Sequence, residues 1–206
     1  MDRVAVVDYG LGNLFSMERA LRFLDIEPLI SADPRCIRKA GRIILPGVGA
    51  FGQAMSNLKE KGLDEAICET MHNGAVKLGI CLGMQLLMTE SEEHGLHKGL
   101  DLVPGRVMRF PSGKVPQVGW NELLMPGHVR SWEGTLLQRV PSNSAMYFVH
   151  SYMAAPEQRE DILAETVYED IRYPSVIKRT NIYGCQFHPE KSARLGLDIL
   201  KKFMEV

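Results

Sequence analysis

Two stretches of the sequence hold residues whose types and spacing can do chemistry. The first is Leu78-Gly79-Ile80-Cys81-Leu82-Gly83-Met84-Gln85, a cysteine with a glycine two before it and two after it. At a strand-to-helix junction this has the layout of a nucleophile elbow, with a thiol in place of a hydroxyl. Such a turn holds its nucleophile in a strained backbone conformation with the side chain presented outward. Glycines at 79 and 83 let neighbouring backbone pass close by. A lone free cysteine is more often a small buried apolar residue, and the two flanking glycines argue against that reading.

The second stretch is Gly184-Cys185-Gln186-Phe187-His188-Pro189-Glu190-Lys191-Ser192. A cysteine nucleophile needs a base to take its proton and return it to the leaving group, and the base needs an acceptor to orient it. His188 and Glu190 supply both. A strand ending at His188 puts residues two apart on one side, and Pro189 stiffens the link between them. By itself a His-Pro-Glu tripeptide is more often a surface turn. Its combination with the Cys81 elbow points to acyl-transfer chemistry.

The surrounding elements must bring 81 and 188 together. Short apolar runs alternating with helical periodicity argue for βα units around a largely parallel sheet covered on both faces. Strands are expected at Val4 to Asp8, Glu27 to Ile30, Arg42 to Leu45 and Leu78 to Ile80. Asn13 can cap a helix from Leu14 to Leu24 with Leu14, Met17, Leu21 and Leu24 on one face. Asp33-Pro34 opens a short segment between two strands, and Leu82 to Met88 reads as helix. After about residue 100 the texture changes to strands: Leu102 to Phe110, Val115 to Leu123, Ala145 to Tyr152 and Ile162 to Tyr168, which extend or flank the core as antiparallel strands. Thr180-Asn181 turns a hairpin between Ser175 to Arg179 and Ile182 to Phe187, and a helix from Ser192 to Phe203 closes the chain. No repeat or linker divides it, so one α/β domain over 1–206 is expected.

The chain's 206 residues carry 24 Lys+Arg against 25 Asp+Glu, a net charge of −1. Without a basic patch, nucleic acid and anionic membranes have no electrostatic reason to bind. Apolar residues make up 45% and charged residues 24%, the balance of a folded domain rather than a disordered chain. No run approaches the ~20 apolar residues of a membrane span, and the first apolar run is far shorter than a secretory core. Cys36, Cys68, Cys81 and Cys185 form no CxxC pair and read as free thiols of a reducing compartment, so a cytoplasmic location is expected.

The elbow GICLGMQ together with the terminal QFHPE resembles the triad, or class I, glutamine amidotransferases. Further segments are similar to the glutaminase subunits of imidazole glycerol phosphate synthase: DYGLGNL from Asp8, PGVGAF from Pro46, VPQVGWN from Val115, YFVHSY from Tyr147, and Lys191-Ser192. They run from 8 to 192 in family order. The resemblance implies a flavodoxin-like α/β domain with Cys81 as nucleophile, His188 as general base and acid, and Glu190 as orienter. It implies an oxyanion hole from the Leu82 amide and one amide of the Val48-Gly49 loop, where the glycines permit a peptide flip. Gln85 would line the glutamine pocket, with backbone of Gly49, Ser151 and Tyr152 holding the amino-acid end. No cofactor or metal is implied. The partner would be a (β/α)₈-barrel cyclase subunit forming a heterodimer, docked on a face that includes Asn13, Trp120, Asn121, Tyr147 and Lys191.

Two other readings stay open: the glutaminase of another pathway, such as anthranilate, aminodeoxychorismate or pyridoxal phosphate synthesis, and a non-catalytic regulatory subunit with this fold. The DYGLGN, VGWN and Lys191-Ser192 segments favour the first reading over its sister pathways, and the complete triad argues against the third. Gln117 stands where relatives more often carry His, in the segment expected to face the partner, and Cys185 replaces a more usual aliphatic residue. His94 and His97 have HxxH spacing but read as part of a solvated loop. His72 and His128 read as surface residues, and His150 has no assigned role.

Overall fold

The computed structural model describes residues 4–206. Val4–Val7 (β1) is buried at every position, as its unbroken apolar run dictates. Asn13 caps Leu14–Phe23 (α1) by accepting the Ser16 amide at 3.1 Å. Leu29–Ser31 (β2) starts later than expected because parallel pairing sets Ala5 opposite Leu29 and Val7 opposite Ser31. Asp33 caps Pro34–Arg38 (α2), and Arg42–Leu45 (β3) follows. Two helices not anticipated come next, Phe51–Glu60 (α3) and Leu63–Glu69 (α4), divided at Gly62 with φ 63°. Val76–Ile80 (β4) begins two residues early, with buried Lys77 inside it.

The helix after Cys81 is only Leu82–Leu86 (α5), shorter than the expected run to Met88. Met88 instead opens Met88–Ser91 (β5), which pairs with two later strands, His97–Lys98 (β6) and Val103–Arg109 (β7). Gln117–Glu122 (β8) and Ala145–His150 (β9) form an antiparallel pair. The expected strand from Ala145 to Tyr152 breaks at Ser151, and Tyr152–Pro156 (β10) joins β7. Ile162–Tyr168 (β11), Ile171–Arg179 (β12) and Ile182–Cys185 (β13) complete the strands, with the β12–β13 turn at Thr180 (φ 51°). Ala193–Phe203 (α6) ends the chain.

Among the described residues the main sheet has seven strands in the order β11-β12-β13-β4-β3-β1-β2. It is parallel from β13 to β2 and antiparallel at the β11–β12–β13 edge. Alternation along β1 gives each face its own core. Val4 and Val6 pack with Met17 and Leu21 of α1 and Leu200 and Phe203 of α6, whereas Ala5 and Val7 pack with Ile37, Leu58 and Ile67 of α2 to α4. In the β13–β4 register Gly184 is opposite Gly79 and Cys185 opposite Ile80. Both strands therefore end together, and residue 81 and the segment after 185 emerge side by side at the carboxyl end of the parallel sheet, where open α/β sheets form their crevice. Among these residues no helix is long and apolar enough to cross a membrane.

Candidate active site

Cys81 sits between β4 and α5 with φ 53° and ψ −110°, a conformation that L residues rarely adopt. The glycines make the turn possible. A Cβ on Gly83 would run into the Leu45 carbonyl of β3, and one on Gly79 would lie 2.5 Å from the Gly83 carbonyl oxygen. The Cys81 amide donates to the Cys185 carbonyl at 2.7 Å, fixing the elbow to β13. Its sulfur lies 3.8 Å from the Val149 carbonyl and receives a side-chain N–H from Gln186 at 3.8 Å.

His188 and Glu190 follow β13. Nδ1 of His188 lies 2.8 Å from Oε1 of Glu190, and both side chains are buried. His188 Nε2 and Glu190 Oε2 are buried without a hydrogen-bond partner. Burial opposes a charge on the ring, yet the Cys81 sulfur on one side and the Glu190 carboxylate on the other outweigh it and raise His188 to about 10. The backbone around His188 is clamped. Its amide donates to the Tyr147 carbonyl at 2.9 Å, Ser192 Oγ donates to its carbonyl at 2.7 Å, and the Tyr147 amide donates to Ser192 Oγ at 3.0 Å.

A cavity of about 620 Å³ opens above the elbow. Its lining brings together Cys81, Leu82, Gln85, Val48, Gly49, Ser151 and Tyr152, the residues that sequence places there. Gly49 has φ 114°, open to glycine and unfavourable for other residues. The loop before it is held by buried Tyr9, whose hydroxyl donates to the Pro46 carbonyl at 2.8 Å. Burial, and then the charge at Cys81, push that phenol above its ordinary range, so it stays protonated. The Leu82 amide lies in the first turn of α5, where no intrahelical acceptor reaches it.

The wall also contains Glu93, Arg109 and His150, which sequence reasoning did not assign. Glu93 Oε2 accepts the Phe51 amide at 2.6 Å, so this carboxylate closes the start of α3 directly after the Pro46–Ala50 loop. In sequence it stands in a charged run that looks solvated, and only the fold shows its position. Gln186 is missed differently: it lies inside the QFHPE motif, and only its buried contacts with the Cys81 sulfur and Gln85 point to a role.

The expected docking residues divide. Trp120, 55% exposed, faces Tyr147 across the β8–β9 pair with ring centroids 6.0 Å apart, next to exposed Val118. Lys191 is exposed and Asn13 half-buried at the α1 cap. Asn121 does not join them, because its Nδ2 donates to the Val167 carbonyl at 2.7 Å and ties β8 to β11. Gln117 is likewise turned inward, buried with Oε1 2.8 Å from the Tyr173 hydroxyl, so it does not face a partner. His128 is half-buried with Nε2 3.0 Å from the Ile162 carbonyl, not a free surface residue. The 94–97 segment is more ordered than a solvated loop: His97 lies in β6 with its ring over Gly52, and His94 lines the cavity. Among the described residues no group of three or more His, Cys, Asp or Glu could hold a metal ion.

Residues 5–206 match the model of the class-I glutamine amidotransferases, and the chain belongs to that family. Over 213 residues covering all of both chains it is 43% identical to imidazole glycerol phosphate synthase subunit HisH 1 of Legionella pneumophila (strain Paris). It is 46% identical over 207 residues to the HisH subunit of Moorella thermoacetica, covering all of this chain and 96% of that one. These identities place it in the HisH group of the family. A solved glutamine amidotransferase structure superimposes with a TM-score of 0.76 over 98% of this chain and 97% of that one at 18% identity, which shows the shared fold.

Proposed function

We infer that the chain is the glutaminase subunit of imidazole glycerol phosphate synthase, hydrolysing glutamine and passing ammonia to a cyclase subunit in histidine biosynthesis. The observation that carries this is Cys81, strained at φ 53° on the floor of the cavity with the buried His188–Glu190 pair beside it.

Glutamine enters with its side chain toward Cys81. Glu93 and Arg109 on the wall offer charges of opposite sign to its α-ammonium and α-carboxylate, beside backbone of Gly49, Ser151 and Tyr152. Gln85 spends its Nε2 on the Tyr152 carbonyl and Gln186 Oε1, at 3.0 and 3.1 Å, which leaves its Oε1 to accept from the substrate's amide NH₂. The sulfur attacks the amide carbon, and the oxyanion is held by the Leu82 amide and one from Val48-Gly49. His188 gives its proton to departing ammonia, leaving a γ-glutamyl thioester; it then takes a proton from water, and glutamate is released. Glu190 holds the ring in orientation throughout.

Ammonia is a nucleophile only unprotonated, so its user must cover the site. Trp120, Val118, Tyr147 and Lys191 form the docking face for a (β/α)₈-barrel cyclase subunit, where ammonia and the phosphoribulosyl-formimino ribonucleotide give imidazole glycerol phosphate and the aminoimidazole carboxamide ribonucleotide. Because exposed Val48 and Gly49 can reorient, the oxyanion hole is completed on docking. Glutamine hydrolysis measured with and without the cyclase subunit and its nucleotide tests this: little turnover alone and strong stimulation in the complex are expected, and equal turnover contradicts the gated hole.

A further inference from the structure

Gln186 is completely buried directly after β13, and its amide links the Cys81 sulfur to Gln85 of the cavity wall. Nε2 donates to the Cys81 sulfur at 3.8 Å, and Oε1 accepts from Gln85 Nε2 at 3.1 Å. The second Gln85 N–H goes to the Tyr152 carbonyl at 3.0 Å, and His150 Nδ1 lies 2.8 Å from that same oxygen. A backbone carbonyl can only accept. That end therefore fixes which way every amide in the chain points: Gln85 must present its NH₂ to Tyr152 and to Gln186, so Gln186 must present its carbonyl to Gln85 and its N–H to the sulfur. Turning Gln186 over would set NH₂ against NH₂ and a carbonyl oxygen against sulfur.

We propose that Gln186 is a further catalytic residue, whose side-chain N–H, aimed by Gln85 and the Tyr152 carbonyl, binds the Cys81 sulfur whenever it carries negative charge. This rests on Cys81 being the nucleophile. The sulfur is negative twice in the cycle, before it attacks and again when the second tetrahedral intermediate expels it. In the thioester between these points it is neutral and a weak acceptor. A fixed donor therefore favours both the attacking and the leaving sulfur over the intermediate.

Gln186→Met keeps the chain length and removes the donor; Gln186→Glu keeps the shape and puts an acceptor there. In the complex with the cyclase subunit, losing a hydrogen bond to a charged group should lower kcat for glutamine hydrolysis about tenfold to hundredfold. Alkylation of Cys81 by iodoacetamide at pH 7, read by peptide mass spectrometry on the full chain, should slow about tenfold in Gln186→Met and further in Gln186→Glu. Should Gln186→Met fail to fold, the isosteric Gln186→Glu gives both readouts. Alkylation and kcat within twofold of the parent in a folded variant overturn the role of Gln186 alone, whereas a parent complex that hydrolyses no glutamine overturns the glutaminase reading beneath it.

Discussion

At His188, the general base of the proposed mechanism, the Cys81 sulfur and the Glu190 carboxylate raise the ring to about 10 against the cost of burial. That pairing contributes to folding as well as to the proposed mechanism. A group whose pKa rises on folding stabilises the folded state fully below its unfolded value, near 6.5, and loses that contribution as pH climbs through the folded value. The thermal midpoint should therefore fall between pH 7 and pH 10.5, and Glu190→Gln should flatten the fall; parallel curves for the two proteins would contradict the pairing. Glu190→Gln should also reduce kcat by about 10² to 10⁴ in steady-state assays of the complex, because the ring loses its orienting acceptor. The Cys81 elbow and the His188–Glu190 pair were legible in sequence because each is local: two glycines around Cys81, and a single proline between His188 and Glu190. Glu93 was not, because its position depends on chain folded back from 42 residues away, as the Phe51–Glu93 bond shows.

At the scale of elements, β9 does two things. Tyr147 faces outward beside Trp120, while its backbone amide and carbonyl clamp Ser192 and His188. Pressure on this outer face of β9 is thus one peptide from the His188 ring. Ser192→Ala removes the donor to the His188 carbonyl and the acceptor for the Tyr147 amide, both buried, and should cost about 1–3 kcal/mol in a denaturation experiment. Its kcat in the complex should fall by a larger factor than its KM rises, since Ser192 does not line the cavity. Most strand and helix starts were readable from caps and apolar runs, including Asn13, Asp33 and the Thr180 turn. The early end of α5 was not, because Met88 continues a helical apolar pattern and only pairing with β7 recruits it into a strand. Gln117 was misplaced for another reason: its segment was expected to face the partner, and the Tyr173 hydroxyl gives its side chain a buried partner instead.

Across the whole molecule, two apolar cores on the two faces of the sheet hold the carboxyl ends of β1, β3, β4 and β13 level, and the segments after β3 and β4 line one cavity together with the β9–β10 junction. Beside it lies the exposed pair Val118 and Trp120, apolar surface on a chain whose net charge of −1 steers it toward no charged polymer. Trp120→Ala should weaken binding of the cyclase subunit about tenfold to hundredfold by calorimetry, as for an aromatic anchor, with little change in thermal midpoint because the ring is exposed. The central claim is that Cys81 releases ammonia for a partner's use. The direct test replaces Cys81 by Ser and follows imidazole glycerol phosphate formation by the complex with either glutamine or an ammonium salt as nitrogen source. The expected result is loss of synthesis from glutamine with synthesis from ammonia intact; synthesis from glutamine that survives, or loss of both, would contradict it.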